Sequence, residues 1–216
     1  MTCFCSIVEA AMTIRAVISD LFDVLLIKGD TTLCRAYERR MNLPDGGLMQ
    51  AMFRSPYFRE AVAGRVTGED LWRDVARSIG ESPENWSMLV DLHMSIFTLN
   101  NDLLAFFRSL RPHYKTAILS NASSEVRAWI TQAFHLERDF DLIIISSEER
   151  YNKPQPEIFH IALDLLGVQP EEAIFIDDEA RNIGPAQALG IHAVQFKNTP
   201  QVIDEIRRDI YRYPPL

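Results

Sequence analysis

Short apolar runs rich in β-branched residues occur at five places in this chain, and their spacing most limits how it can fold. Each run has the length of a buried strand and is too short for an ordinary helix. Helix signals separate the later runs. Such close alternation of strand and helix favours right-handed βαβ units and therefore a parallel, doubly wound α/β fold. The five predicted strands are Ala16–Ser19, Thr116–Leu119, Leu142–Ile145, Ala173–Ile176 and His192–Phe196.

Helix signals occupy the stretches between these strands. Ser124 and Glu125 begin a helix that runs to about Phe134. Pro156 favours the first turn of another helix, and Gly167 favours its end. The sequence also predicts helices over Asn100–Arg111, over Ala180–Leu189 and from Thr199 onward.

The interval from residue 28 to residue 99 breaks the alternation, because every signal in it is helical. Thr67 and Asp70 have the spacing of a capping box, and Ser82 precedes Pro83 in the manner of a second helix start. We therefore predict an α-helical cap inserted after the first strand. The predicted division is an N-terminal extension at 1–12, an α/β core at 13–27 and 100–216, and a cap at 28–99.

Charge and cysteine content exclude several classes of function. The sequence has 22 Lys and Arg against 30 Asp and Glu, for a formal net charge of −8. An acidic chain without a basic block is a poor candidate for nucleic-acid binding, and no apolar run reaches the length of a membrane span. Cys3, Cys5 and Cys34 offer no disulfide framework, which favours a reducing compartment. We expect a cytoplasmic monomer or homodimer with a small-molecule partner.

Polar side chains suited to phosphoryl transfer follow four of the predicted strands. Carboxyl ends of parallel strands meet at one edge of a sheet, so we expect these side chains to lie close together. Adjacent carboxylates repel each other unless they share a cation, which for this residue pattern is a Mg²⁺-type ion. The residues are Asp20 after the first strand, Ser120 and Asn121 after the second, Lys153 after the third, and Asp177 and Asp178 after the fourth.

In these residues the sequence resembles the haloacid dehalogenase superfamily, whose members are mostly magnesium-dependent phosphatases. The resemblance extends over residues 13–210 and implies a five-stranded Rossmann-like sheet of order 5-4-1-2-3 with a small helical cap. Four ordered motifs carry it, namely Asp20-Leu21-Phe22-Asp23-Val24-Leu25, Ser120-Asn121, Lys153-Pro154-Gln155-Pro156-Glu157-Ile158-Phe159, and Asp177-Asp178 with Asn182.

The resemblance implies a Mg²⁺-dependent phosphatase that acts on a small phosphorylated metabolite. Asp20 would attack phosphorus and form an aspartyl-phosphate. The implied metal ligands are Asp20, the backbone carbonyl of Phe22 and Asp178, with Asp177 close by or acting through water. Ser120 and Lys153 are the other implied catalytic residues. The implied phosphate-binding residues are Ser120, Asn121 and Lys153.

One position departs from the phosphatase pattern of this family. Two residues after the nucleophile, such phosphatases carry a second Asp that protonates the leaving oxygen and later activates water. This chain has Phe22 there, which has no proton to give. Loss of such a group typically costs ~10²–10⁴ in rate. The glycine that usually follows is replaced by Asp23.

Three functions stay open on the sequence alone. The first is a phosphatase that works without the second Asp. The second is a 2-haloacid dehalogenase, in which the residue corresponding to Phe22 is aromatic and the halide leaves without a proton, although that branch does not need the Asp177-Asp178 pair. The third is a protein that has lost catalysis and binds a phosphorylated ligand or a partner protein.

Overall fold

The computed structural model describes residues 13–212, so the predicted N-terminal extension at 1–12 lies outside the described residues. Within that range the chain forms a five-stranded parallel sheet and a two-stranded antiparallel ribbon, with helices between them. In chain order the strands are β1 Ala16–Ser19, β2 Leu26–Lys28, β3 Phe97–Leu99, β4 Lys115–Ser120, β5 Leu142–Ile145, β6 Ala173–Asp177 and β7 His192–Gln195.

The large sheet confirms the predicted topology. Its order is β5-β4-β1-β6-β7. When these five strands alone are numbered 1 to 5 along the chain and the sheet is read from β7, the order is the predicted 5-4-1-2-3. All neighbours are parallel, and Ile18 of β1 lies opposite Ala117 of β4 and Phe175 of β6. The strand order reverses at β1, so the carboxyl ends of β1, β4 and β6 meet at the position where ligands bind in open α/β sheets.

Helices cover both faces of this sheet. On one face, Val17 and Ile118 belong to a buried cluster with residues of the sixth, seventh and eleventh helices. On the other face, Ile18 and Leu119 belong to a second cluster with residues of the ninth and tenth. The helices are α1 Thr32–Arg40, α2 Gly47–Arg54, α3 Tyr57–Val62, α4 Gly68–Ser78, α5 Trp86–Met94, α6 Asn101–Leu110, α7 Glu125–Phe134, α8 Ser146–Glu149, α9 Pro156–Leu166, α10 Ala180–Ala188 and α11 Thr199–Arg212.

Side-chain caps set the starts of α4 and α6, and the sequence predicted the first of them. At the start of α4, the Asp70 backbone N–H donates to Thr67 Oγ1 at 3.1 Å, and the Thr67 N–H donates to Asp70 Oδ2 at 3.0 Å. Asn100 caps α6, because its Oδ1 accepts the Leu103 N–H at 3.3 Å. Along residues 13–212 none of the helices combines the length and the apolar character that crossing a membrane requires.

Residues 28–99, which we call the insert, contain α1 to α5. The prediction that this interval holds helices only was wrong at its ends, where β2 and β3 pair as an antiparallel ribbon. Leu26 lies opposite Leu99, and Lys28 lies opposite Phe97. Each strand has three residues, too few for the alternation by which a strand is identified in a sequence. The ribbon brings the two ends of the insert together.

Candidate active site

A buried lysine stands between two carboxylates at the centre of the site. Nζ of Lys153 lies 2.8 Å from Oδ1 of Asp20 and 2.6 Å from Oδ2 of Asp177. Burial by itself would lower the pKa of Lys153, but attraction to the two carboxylates outweighs it, and the pKa is raised. The lysine is therefore a fixed positive charge that links the ends of β1 and β6.

Asp177 is fully buried at the end of β6, and both of its carboxylate oxygens are engaged. Nδ2 of Asn182 donates to each oxygen at 3.0 Å, and the Glu179 backbone N–H donates to Oδ1 at 2.8 Å. Lys153 occupies Oδ2 as well. This engagement favours the predicted alternative in which Asp177 acts beside a metal or through water.

Asp20 follows β1 and is held by the backbone around it. Its N–H donates to the carbonyl of Ile176 at 2.8 Å, and the Leu21 N–H donates to Oδ1 at 2.7 Å. Oδ1 also faces Lys153, whereas no hydrogen bond from residues 13–212 reaches Oδ2. Burial raises the pKa of the Asp20 carboxyl to about 7, against the attraction of Lys153 and with a smaller repulsion from Asp177. One oxygen of Asp20 is thus available for chemistry.

Asn121 positions the loop that carries Lys153. Its Nδ2 donates to the Lys153 carbonyl, and its Oδ1 accepts the Lys153 backbone N–H, both at 2.8 Å. These two bonds direct the carboxamide of Asn121 at the lysine loop. Contact between Asn121 and a phosphate stays a prediction.

The hydroxyl of Ser120 is buried without a partner. Ser120 is the last residue of β4 and is 1% exposed, and its Oγ makes no hydrogen bond within the described range. Buried polar atoms are nearly always satisfied, so an orphan of this kind calls for an explanation. Ser120 borders the same cavity as Asp20 and Lys153. An incoming polar ligand, such as a phosphate oxygen, would supply the missing partner.

Three carboxylates approach one another closely enough to hold a metal ion. Asp20, Asp177 and Asp178 each offer an oxygen, and these atoms lie within 4.8 Å of one another. Burial, followed by repulsion from Asp177, raises the pKa of Asp178. Lys153 pairs with only two of these three acids, so a hard cation with oxygen ligands suits the cluster. Asp23, on the loop after β1 that also carries Asp20, has φ 56°, in the left-handed region that favours glycine.

The phenyl ring of Phe22 begins a row of aromatic contacts that leads into the insert. Its centroid lies 5.0 Å from that of Phe97, which lies 5.7 Å from the ring of His93. The centroid of the Trp72 ring lies 5.4 Å from that of His93. Burial lowers the pKa of His93 to about 4, so its imidazole is neutral near pH 7. Phe22 is therefore part of an apolar wall.

A cavity of about 700 Å³ separates the sheet edge from the insert. The insert supplies the opposite side, mainly with methionine and aromatic side chains. Asp177 lies behind the cavity and does not line it. The predicted site residues that do line it are Asp20, Phe22, Ser120, Asn121, Lys153 and Asp178.

The insert is seated on the core beside this cavity. Oγ of Ser146, at the start of α8, donates to the Val62 carbonyl of the insert at 2.7 Å. At Gly64 the approach is closer, because a Cβ placed there would lie 2.0 Å from the Ser147 carbonyl oxygen. Gly64 also has φ +67°. The absence of a side chain at Gly64 therefore allows this seating.

Sequence reasoning missed a second contact between insert and core. Nε1 of Trp72 donates to Oε1 of Glu125 at 2.8 Å, and Ser123 Oγ donates to the same oxygen at 2.7 Å. Glu125 was identified only as a helix start. Such a bond joins distant parts of the chain, and no local pattern marks it.

Comparison with known proteins gives one family. A family model described as haloacid dehalogenase-like hydrolase matches residues 14–190. Acyl-CoA dehydrogenase family member 10 of Mus musculus is 28% identical over 212 residues, which cover 89% of this chain and 19% of that protein. Bifunctional epoxide hydrolase 2 of Sus scrofa is 29% identical over 216 residues, covering 91% and 39%.

A phosphatase is among the relatives as well. N-acylneuraminate-9-phosphatase of Rattus norvegicus is 27% identical over 125 residues, which cover 58% of this chain and 48% of that protein. This chain therefore spans less than half the length of each of these three relatives.

Solved structures share the fold over most of their length. A HAD-like family hydrolase from Porphyromonas gingivalis has a TM-score of 0.74 at 25% identity, covering 91% of this chain and 97% of that one. A HAD family enzyme from Bacteroides thetaiotaomicron, solved with magnesium and inorganic phosphate, has a TM-score of 0.71 at 23% identity, covering 85% and 94%. L-2-haloacid dehalogenase from Xanthobacter autotrophicus, solved with chloropropionic acid covalently bound, has a TM-score of 0.63 at 23% identity, covering 94% and 85%.

Proposed function

Since the chain belongs to the haloacid dehalogenase-like hydrolases, we propose that it is a Mg²⁺-dependent phosphatase acting on a small phosphomonoester. One observation carries the proposal. A carboxylate with a free oxygen, Asp20, lies beside the fixed charge of Lys153 and borders one cavity with the orphan hydroxyl of Ser120. A phosphoryl group needs a nucleophile, a cation and hydrogen-bond donors in such an arrangement.

In this mechanism Asp20 is the nucleophile. Its free oxygen attacks phosphorus, a P–O bond forms to the carboxylate, and the bond from phosphorus to the leaving oxygen breaks. Water then attacks the aspartyl-phosphate, releases inorganic phosphate and regenerates the carboxylate. Lys153 and Ser120 bind the transferring oxygens and stabilise their charge.

The residues present fit a magnesium ion. Asp20, Asp178 and the backbone carbonyl of Phe22 would hold it, with Asp177 behind them. A few carboxylates that leave room for water and a substrate oxygen are the ligand set this ion prefers. When bound, the ion would neutralise part of the negative charge of the carboxylates and of the phosphate.

The insert serves as a cover in this proposal. Seated on the core at Ser146 and Gly64, it closes the cavity above Asp20 and excludes bulk water from the reacting group. Because it forms the opposite side of the cavity, it also meets the leaving group.

Gly64→Ala tests this seating. The new methyl group would meet the Ser147 carbonyl, so the insert is held away from the core and kcat/KM falls about tenfold or more. Gly80→Ala is the matched control, because Gly80 also has a positive φ, +77°, but has nothing within 4 Å of its Cβ position. Steady-state hydrolysis of p-nitrophenyl phosphate measures both. Equal loss in the two variants would attribute the effect to backbone strain and contradict the seating.

One assay separates the proposed activity from the two other functions. The purified protein is given p-nitrophenyl phosphate and acetyl phosphate with Mg²⁺ and with EDTA, and 2-chloropropionate in parallel. We expect phosphate release that needs Mg²⁺. Chloride release without metal would establish a dehalogenase. Binding of inorganic phosphate and Mg²⁺ without turnover of either phosphate would establish a binding protein.

Phe22→Asp restores an acidic group where the chain has a phenyl ring. We expect kcat for an alkyl phosphate to rise relative to that for p-nitrophenyl phosphate by about tenfold or more, because only the alkoxide needs a proton to leave. The ratio of the two kcat values is measured with and without the substitution. A fall in both, without recovery of the ratio, would show that Phe22 itself contributes to the reaction.

A further inference from the structure

The cavity wall that faces Asp20 points to a particular class of leaving group. We infer that the substrate is a phosphomonoester of an apolar aromatic alcohol rather than of a sugar or another polyol. This inference rests on the proposed phosphatase activity and concerns the same site. Three features of the described residues carry it: the apolar lining, the lack of carboxylate, carboxamide and hydroxyl groups among the lining residues of the insert, and the ring at position 22.

The insert lines the cavity mainly with apolar, polarisable side chains. Phe53 and Phe58 form a T-shaped pair with centroids 4.9 Å apart. Phe53 is 56% exposed and lines the cavity, so its ring is accessible to a ligand there. Aromatic rings and thioethers suit the faces and edges of a planar ring. The apolar residues on this side include Met49, Met52, Phe53, Phe58, Met94 and Phe97.

In the described structure, the insert's side of the cavity lacks the carboxylate, carboxamide and hydroxyl groups that could both orient sugar hydroxyls and accept their hydrogen bonds. Among its residues that line the cavity, all within the described range, none has a carboxylate, a carboxamide or a hydroxyl group. Its polar members are Lys28, Arg59, Arg65, the indole of Trp72 and the neutral imidazole of His93. Arg65 forms an ion pair with Glu60, and the Trp72 indole N–H already donates to Glu125.

Glu125 of the core lines the cavity and contacts the insert, and one of its oxygens is already occupied. Oε1 of Glu125 accepts hydrogen bonds from Trp72 and Ser123. Oε2 is buried against Gly68, where a Cβ would lie 1.6 Å from it. Oε1 is therefore not open to a hydroxyl of a substrate. A polyol placed against the insert would meet no carboxylate, carboxamide or hydroxyl group among its described lining residues, and each hydroxyl left unpaired would cost ~1–3 kcal/mol.

The ring of Phe22 extends the apolar wall down to the nucleophile. It lies two residues after Asp20 and contacts Phe97 of the insert. Phe22 has no proton to give to a leaving oxygen. A phenol, with a pKa of about 10, leaves as its anion far more readily than an aliphatic alcohol, whose pKa is several units higher. The lining and the missing donor therefore favour the same class of alcohol.

Binding of two phosphonates that cannot be hydrolysed tests the inference without turnover. With Mg²⁺ present, calorimetry compares (1-naphthylmethyl)phosphonate with methylphosphonate on the wild-type protein. We expect the naphthyl compound to bind about 30-fold tighter or more, because its ring leaves water for the apolar wall. Equal dissociation constants would overturn the inference.

Two variants locate the effect. The double substitution Phe53→Gln with Phe58→Gln is expected to reduce the preference for the naphthyl compound about tenfold and to change methylphosphonate binding less than about twofold. Leu165→Gln is the matched control, because Leu165 is 58% exposed and lies outside the cavity lining. An unchanged preference in the double variant, with its melting temperature intact, would place the aromatic group elsewhere and overturn the inference.

Hydrolysis separates failure of this inference from failure of the proposed function. Acetyl phosphate, 2-naphthyl phosphate and glucose 6-phosphate are compared by kcat/KM in Mg²⁺. We expect the naphthyl ester to exceed the sugar ester at least a hundredfold. If acetyl phosphate is hydrolysed and the two esters are used equally, the phosphatase stands and the inference fails. If none of the three is hydrolysed, the proposed function fails, and with it the phosphomonoester substrate.

Discussion

Asp20→Asn is expected to reduce kcat for p-nitrophenyl phosphate by roughly 10⁴-fold or more, with the fold intact. Asparagine keeps the size of the side chain and removes the nucleophilic oxygen. The amide can still accept the Leu21 N–H through its oxygen, so the loop after β1 is retained. Phosphate release in Mg²⁺, measured beside far-ultraviolet circular dichroism, checks both expectations.

Asp45→Asn controls for that experiment. Asp45 lies in the insert with its side chain 69% exposed, and its contact with Arg35 is a loose one of 3.7 Å at the surface. Its replacement should leave kcat within about twofold, since exposed pairs contribute little. Activity of Asp20→Asn within tenfold of the wild type would remove Asp20 from the role of nucleophile and reopen the other two functions.

Lys153→Met should cost about 3–5 kcal/mol of unfolding free energy, together with activity. Methionine fills a similar space but leaves Asp20 and Asp177 buried without their common cation. The loss should be larger in EDTA than in Mg²⁺, because a bound divalent ion offsets part of the missing charge. Urea unfolding in the two buffers gives the comparison.

Lys197→Met is the control, because it shows how much unfolding free energy is lost when a lysine outside the site is replaced by methionine. Lys197 is exposed and lies outside the cavity lining, so its substitution should change stability by less than about 0.5 kcal/mol. A Lys153→Met protein as stable as the wild type in EDTA would mean that the carboxylates do not depend on the ammonium, contrary to the geometry.

The sequence predicted the sheet well because its strands are buried on both faces. Runs such as Leu142–Ile145 are apolar throughout, as a strand between two layers of helices requires. The strand order came from the family resemblance and was confirmed. The ribbon of β2 and β3 was missed, because three-residue strands show no alternation and their pairing joins residues about seventy positions apart.

The site was predicted at the level of which residues meet, and less well at the level of what each side chain does. Asp20 and Ser120 stand at strand ends, so topology alone brings them together. Lys153 lies beyond β5 and α8, on a loop that Asn121 holds. That the Asn121 carboxamide holds the lysine loop depends on side-chain direction, which no spacing reveals. The same holds for Glu125, whose contact with Trp72 depends on how the insert is seated.

The ribbon also bears on how such a protein can change during evolution. Lys28 and Phe97 are opposite each other in antiparallel strands, so their Cα atoms are about 5 Å apart. A two-residue turn would bridge that gap, and everything between the two positions could be shortened, lengthened or exchanged by recombination without altering the register of β1. Selection could therefore alter the preferred alcohol by replacing one contiguous stretch of the gene, while the codons for the reacting groups, all outside it, stay as they are.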